Sequence, residues 1–448
     1  MQLYPYQREG VKEAIQLITH NPHHAAMIGD EMGLGKTAQA IIIANQLNAR
    51  DILILCPASL KYNWQNEVAI WTDKATISYV VRDGRVIIPG GLNFIIVNYD
   101  LLLRDNIFNQ LREREYDLII MDEAHCLRNR NAKRTKRVLL GKDALVRNSR
   151  AKLALTGTPV LNRPIELWPL VAALCPTAIG RYTSYWDYAK RYCAAYQGRF
   201  GWDVSGSSNK KELATNLRQH FMIRRLKRHV LTELPEKTLQ IIPLQIDSTG
   251  NFVKNEHKTL DEEILKKLKF GELNVNIGDI AEWRQSVALA KLQKSVEHLK
   301  EILDGGVEKV VVFAWHRAVI DALHAELHNY KPVVITGGTN NEDRQEAVTA
   351  FQTDNSVRVF IGSIAAAGTG ITLTAASTVV FVENSWIPGD VQQAIDRCHR
   401  IGQRDAVLAQ FLVVKDGIEE HIMKTLLDKQ KVIDSIIDKE GESSDTNN

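Results

Sequence analysis

Two short stretches hold the residues best suited to chemistry. Gly33-Leu34-Gly35-Lys36-Thr37 follows an apolar run, Ala25–Ile28, and precedes a helical stretch, Ala38–Asn48. Glycines let backbone amides wrap a phosphate, and the start of a helix adds partial positive charge there. Lys36 would then reach the β- and γ-phosphates of a nucleotide, and Thr37 would set its hydroxyl on Mg²⁺. The general pattern G-x-x-x-x-G-K-[ST] is broken once, because Asp30 stands where its first glycine belongs. Further along, the apolar run Leu118–Met121 ends in Asp122-Glu123-Ala124-His125. Carboxylates at the C-terminal end of a parallel strand face the phosphate crevice. Asp122 would hold Mg²⁺, usually through water, and Glu123 would position or deprotonate the attacking water. An apolar run ending in Asp-Glu says little alone; coupled to Lys36-Thr37 it predicts hydrolysis of ATP with Mg²⁺.

Two further motifs bear on what hydrolysis could drive. Thr156-Gly157-Thr158-Pro159 follows the run Lys152–Leu155 and could link a nucleotide site to a second ligand; by itself it reads as an ordinary turn. The segment Gln392–Gln403 contains Arg397 and Arg400, three apart and so on one face if the segment is helical. Two fixed guanidinium groups suit the charge that develops on a transferring phosphoryl group. They lie far in sequence from Lys36, so a second domain closing on the first would complete the site.

The elements that must position these residues are legible as alternation. Ala25–Ile28, Ile52–Leu55, Phe94–Val97, Leu118–Met121 and Lys152–Leu155 read as buried strands, with helices such as Ala38–Asn48 and Ser59–Trp71 between them. This implies a parallel sheet covered on both faces. The pattern breaks near residue 180: residues 181–240 are aromatic and basic, without strand signals until Leu239–Leu244, and 252–303 look helical and charged. Alternation restarts with Val310–Phe313, Val333–Ile335, Val359–Ile361 and Val379–Val382, with helices Arg317–Asn329 and Asn341–Phe351 between. The expected organisation is α/β, with two RecA-like parallel-sheet lobes at 1–180 and 306–438, a linker with helical insertions at 181–305, and a disordered tail at 439–448.

Composition excludes several classes. Of 448 residues, 45% are apolar and 24% charged, enough to build ordinary cores. Lys and Arg number 56 and Asp and Glu 53, a net charge of +3, so any nucleic-acid binding must come from local patches. The five cysteines form no C-x-x-C pair, which argues against zinc or a disulfide framework. No signal-peptide pattern or membrane-length apolar run is present, and the chain reads as soluble and intracellular, in cytoplasm, nucleoid or nucleus, or in a host cell if virus-encoded.

Taken together the motifs resemble the Swi/Snf-type ATPases of helicase superfamily two, from Leu3 to about residue 435. Asp30-Glu31-Met32-Gly33-Leu34-Gly35-Lys36-Thr37 is similar to that family's form of the phosphate loop, which accounts for Asp30. Leu3-Tyr4-Pro5-Tyr6-Gln7 resembles its adenine-recognising start, with Gln7 as the base reader. Pro57-Ala58-Ser59-Leu60 and Trp64 resemble the segment gripping one DNA strand, and Gly368-Thr369-Gly370 the second-lobe motif that touches DNA backbone and nucleotide. His399-Arg400-Ile401-Gly402-Gln403 is the most specific ending. Arg163–Leu167, Arg191–Cys193, Gly201–Asp203, Gly206–Asn209 and Arg224-Arg225-Leu226-Lys227 resemble the annealing-helicase branch. The resemblance implies coupling roles for His125, Thr156, Gly157, Thr158, Gly368 and Gln393. It implies DNA contact at Ser59, Trp64, Arg224, Arg225, Lys227 and Thr369.

The partner implied is double-stranded or forked DNA, bound without sequence preference through phosphates. A second basic cluster, Arg128 to Arg137, is a candidate surface for it. Since the motor begins at Leu3 and about ten polar residues follow it, fork specificity would come from a partner such as a single-strand-binding or replication protein. The function expected is a DNA-stimulated ATPase that translocates on and anneals or remodels branched DNA. The alternatives are a strand-separating RNA or DNA helicase and, from another class, a non-hydrolysing nucleotide-dependent scaffold.

Overall fold

The computed structural model describes residues 2–72, 77–82, 93–159, 163–198, 201–231, 233–246, 277–364, 371–385, 388–415, 417, 419–420 and 423. The chain divides into two compact units, Met1–Thr232 and Glu233–Gln430.

The first unit is built on a seven-stranded, wholly parallel sheet in the order β3-β4-β2-β5-β6-β1-β9. The strands are β1 (Ala25–Ile28), β2 (Asp51–Cys56), β3 (Ile77–Val80), β4 (Asn93–Asn98), β5 (Tyr116–Met121), β6 (Ser149–Leu155) and β9 (Met222–Ile223). The central strands β2 and β5 carry continuous apolar runs, Ile52–Cys56 and Leu118–Met121, because both faces are covered. Leu53, Leu55, Ile119 and Met121 enter one core, while Ile52, Ile54, Leu118 and Ile120 enter the other. Each such side chain contributes about 1.5–3 kcal/mol on burial. Helices α1 (Pro5–His20), α2 (Lys36–Gln46), α3 (Lys61–Trp71) and α4 (Asp105–Arg112) connect and cover these strands. The loops after β1, β2, β5 and β6 all leave the C-terminal edge of one sheet, which is what gathers their polar residues.

The second unit repeats the logic with six parallel strands, β10-β15-β14-β11-β13-β12. They are β10 (Lys237–Leu244), β11 (Val310–Ala314), β12 (Val333–Ile335), β13 (Val359–Ser363), β14 (Thr378–Phe381) and β15 (Val407–Val414). Val311, Phe313, Phe381 and Phe411 pack on one face, and Val310, Val312, Val380 and Leu412 on the other.

Several sequence expectations need correction. Residues 181–240 do contain strands before residue 239. β7 (Tyr196–Gly198) and β8 (Gly201–Asp203) form an antiparallel hairpin, and the two-residue β9 pairs with β1. Strands of two or three residues are too short to show a period. The stretch 181–305 is shared between the units, because β9 joins the first sheet and β10 the second. Of the helical stretch expected at 252–303, residues 277 onward lie in the helices Ile277–Ala290 and Leu292–Asp304, and the rest falls outside the described residues. β15 was not anticipated, although its eight-residue run is apolar at all but Gln410. Among the described residues no helix is long and apolar enough to cross a membrane.

Candidate nucleotide site and its coupling loops

The chain leaves β1 through a loop that ends on Gly35, whose φ of +74° caps α2 in the left-handed region. A Cβ at Gly35 would also collide with the Gln7 side-chain amide. That crowding is purposeful packing. The Gln7 amide donates to the Leu34 carbonyl at 3.1 Å and accepts from the Tyr4 amide at 2.9 Å. The Tyr6 hydroxyl donates to the same Leu34 carbonyl at 3.3 Å, as does the Gln39 amide. The start of α1 thus clasps the phosphate loop from outside.

Lys36 opens α2 and turns back, its Nζ donating to the carbonyls of Asp30 at 2.8 Å and Glu31 at 3.2 Å. Burial pushes the Lys36 amine down, against the opposing pull of Glu123, Asp30 and Asp122. Thr37 is half-buried in the first turn of α2. Asp30 is fully buried, and its carboxylate is saturated from the protein side. It accepts from the Arg225 amide at 3.1 Å, from Arg225 Nε at 3.0 Å and Nη2 at 2.6 Å, and from Gln39 at 3.2 Å. The residue that breaks the general phosphate-loop pattern is therefore the anchor of the loop.

Asp122 leaves β5 with its amide on the Leu55 carbonyl, and its carboxylate accepts from Trp64 Nε1 and from the Glu123 amide at 2.8 and 2.9 Å. The Tyr99 hydroxyl donates to the Asp122 carbonyl at 2.8 Å. Burial, and then the charge of Glu123, push the Asp122 carboxyl up. Glu123 sits at φ +47°, a left-handed conformation that costs a non-glycine residue about 1–2 kcal/mol. His125 Nδ1 lies 3.3 Å from the Glu123 carboxylate and 3.2 Å from the Thr156 hydroxyl. Burial pulls the imidazole down, but hydrogen bonds to Cys126 and Glu123 and the Glu123 charge outweigh it and raise it. The Thr158 amide donates to Thr156, so the DEAH box and the loop after β6 form one connected chain. Gly157 closes it from the other side, since a Cβ there would strike Met32 of the phosphate loop.

This donor set fits a hard divalent cation. The hydroxyl at the head of α2 is a neutral oxygen ligand, and the Asp122 carboxylate, raised first by burial and then by Glu123, is one whose charge a cation would stabilise.

The structure moves several expected DNA contacts inward. Trp64 is fully buried and orients Asp122. Arg225 is spent inside the lobe: besides Asp30 it donates to Gln39 and to the Tyr6 carbonyl. Arg224 Nη1 bridges the Gly29 carbonyl at 2.6 Å and the Gly157 carbonyl at 3.0 Å. Lys227 is 2% exposed, and its amide donates to the Glu31 carboxylate at 2.8 Å. Ser59 is half-buried in the turn Ala58–Leu60. In the basic cluster after the DEAH box, Lys133 and Arg137 pair with Asp105, Arg134 stands 3.7 Å from Asp100, and Arg130 lies over the Tyr185 ring. Gln39 and Tyr99 were missed by sequence reading, and Tyr6 was placed in the adenine-recognising start without a role of its own. Of the two missed residues Gln39 carried a signal, a polar residue in the otherwise apolar run Ala38–Ala44 of α2.

In the second unit the arginines are not on a helix. The helix Pro388–Ile395 ends before them, and residues 396–400 form turns. They are nonetheless brought together, both reaching the Ile371 carbonyl at 3.4 Å. The Leu373 amide donates to the Arg397 carbonyl, His399 bonds the Pro235 carbonyl, and the Gln403 amide donates to the Ala376 carbonyl at 2.8 Å. Gln393 is buried in the helix itself. Gly368 and Thr369 lie outside the described residues.

A phosphate loop and a DEAH box at the C-terminal edge of a parallel sheet, followed by a second parallel-sheet unit, define the tandem-lobe helicase-like ATPases. The profile of the SNF2-related domain matches residues 6–301, and that of the helicase conserved C-terminal domain matches 294–402. The chain belongs to the SNF2-related family. It is 36% identical over 447 residues to the Homo sapiens DNA annealing helicase and endonuclease ZRANB3, covering 97% of this chain and 40% of that protein. It is 33% identical over 445 residues to the Caenorhabditis elegans SWI/SNF-related matrix-associated actin-dependent regulator of chromatin subfamily A-like protein 1 homolog, covering 97% of this chain and 62% of that one. The chain thus spans less than two thirds of the length of these relatives. The Sulfolobus solfataricus SWI2/SNF2 ATPase core in complex with dsDNA aligns with a TM-score of 0.46 at 25% identity, over 98% of this chain and 93% of that one.

Proposed function

We propose that this chain is a DNA-stimulated ATPase that moves along double-stranded DNA and anneals or remodels branched structures. The observation that carries the ATPase half is the constellation of part-buried Lys36 with buried Asp122 and Glu123, wired through His125 to Thr156 and Thr158. In this reading Lys36 exchanges its two loop carbonyls for the β- and γ-phosphates, and the loop amides wrap the phosphates. Thr37 and Asp122 would hold Mg²⁺, which supplies neutralisation of phosphate charge when bound. Glu123 holds the attacking water and takes its proton. Arg397 and Arg400, supplied by the second lobe, stabilise charge on the transferring group.

The His125–Thr156 link supports coupling, since a change at Glu123 on hydrolysis would reach the loop after β6 through the single side chain of His125. Arg224 bonds both loops and would move with them. Similarity to the annealing helicase supports the substrate reading. The test is ATPase activity across matched single-stranded, duplex and forked DNA and single-stranded RNA. Stimulation by duplex or forked DNA is expected; stimulation by RNA alone would favour a strand-separating RNA helicase and remove this reading.

A further inference from the structure

The helix Tyr185–Tyr192 and the β7–β8 hairpin carry a row of aromatic rings that the nucleotide site does not use. Trp168 meets Tyr185 edge-on with centroids 5.3 Å apart, Tyr185 meets Trp186 at 5.2 Å, and Trp186 meets Trp202 at 5.3 Å. The row begins half-buried and ends in solvent, with Trp186 40% and Trp202 44% exposed. Cations are interleaved with the rings. The Arg130 guanidinium lies 3.5 Å from the Tyr185 centroid and 5.9 Å from that of Trp186, and Lys190 Nζ lies 5.5 Å from that of Trp202. The two neighbouring carboxylates are engaged locally: Asp187 accepts from Ser184, and Asp203 from the Ser205 amide and the Tyr196 hydroxyl.

Adjoining indoles left in water mark a binding surface. A protein-docking face concentrates apolar groups at a centre depleted of charge, with polar groups at its rim. Here the cations stand over the rings themselves. That mixture suits a strand whose bases offer π-faces and whose phosphates need positive charge. A duplex keeps its base faces stacked on one another, so the ligand must be unpaired.

We propose that Trp186 and Trp202, flanked by Arg130 and Lys190, form a platform for single-stranded DNA on which unpaired bases stack. The proposal rests on the translocase reading, whose branched substrates would present such strands.

The test is fluorescence anisotropy of the full chain with a short labelled oligo-dT and, separately, with a blunt duplex, alongside duplex-stimulated ATPase. Trp186→Ala and Trp202→Ala should each weaken oligo-dT binding by about 5- to 150-fold, the range that loss of one base stack gives, with duplex binding and ATPase unchanged. Trp202→Tyr keeps a stacking face and should recover most of the affinity. Lys190→Gln should flatten the dependence on salt by about 0.7 in log–log slope, the share of one single-strand phosphate contact. Unchanged oligo-dT affinity in both alanine variants overturns the platform, as does equal weakening for oligo-dT and duplex. A wild-type chain that does not bind oligo-dT also overturns it and leaves the rings as a protein-docking face. If oligo-dT behaves as expected but duplex never stimulates ATPase, the translocase reading fails and the platform stands.

Discussion

Replacing Arg225 by methionine asks whether its guanidinium serves the phosphate loop or a DNA surface. Asp30 has no exposure to solvent, and Arg225 gives it three of its four hydrogen bonds. The variant keeps the backbone amide but removes both guanidinium donors, leaving a buried carboxylate with Gln39 and one amide. Breaking a buried pair from one side costs about 3–5 kcal/mol. For a unit of this size each kcal/mol is worth about 2–4 °C, so the melting transition of the first unit should fall by roughly 6–20 °C. Nucleotide affinity should fall with it, because the carbonyls of Asp30 and Glu31 that seat Lys36 lie on the loop Arg225 holds. Asp30→Asn combined with Arg225→Met should recover part of the stability, since no uncompensated charge remains. Thermal unfolding by circular dichroism and binding of a fluorescent ATP analogue measure both effects. A shift below about 2 °C would mean that the pair contributes far less than a buried pair should. If weakened duplex affinity and a shallower salt slope accompanied it, Arg225 would be a phosphate contact and the reasoning from its bonds would be wrong.

Three further outcomes follow from the same geometry. Glu123→Gln should bind ATP with near-normal affinity while turnover falls by about 10²–10⁴, the range for losing a general base; wild-type-like turnover in steady-state assays would remove Glu123 from that role. Arg400→Ala should lower hydrolysis by about 10³ or more with ATP binding to the first lobe retained; an unchanged rate would leave Arg400 a structural partner of the Ile371 carbonyl alone. Trp64→Phe deletes the 2.8 Å donor to Asp122 and should cost about 1.5–3 kcal/mol, read as a lower melting temperature; a loss confined to DNA affinity would restore Trp64 to a DNA-gripping role.

Much of this molecule was set by local sequence. Strands such as Ile52–Leu55 and Val310–Phe313 are continuous apolar runs because both faces of their sheets are covered, and that pattern survives in one dimension. The phosphate loop and DEAH box are equally legible, since glycine, lysine and paired carboxylates at strand ends are short-range requirements of phosphate chemistry. Tertiary structure decided which partners the long polar and aromatic side chains take. Arg225 reaches Asp30 across 195 positions and Trp64 reaches Asp122 across 58. Nothing in an arginine or a tryptophan says whether it will face solvent or a buried carboxylate; burial decides, and burial belongs to the whole fold. The same holds for Arg397 and Arg400. Their spacing of three would align them only if the segment were helical; the helix stops at Ile395, and one backbone carbonyl at Ile371 gathers them instead.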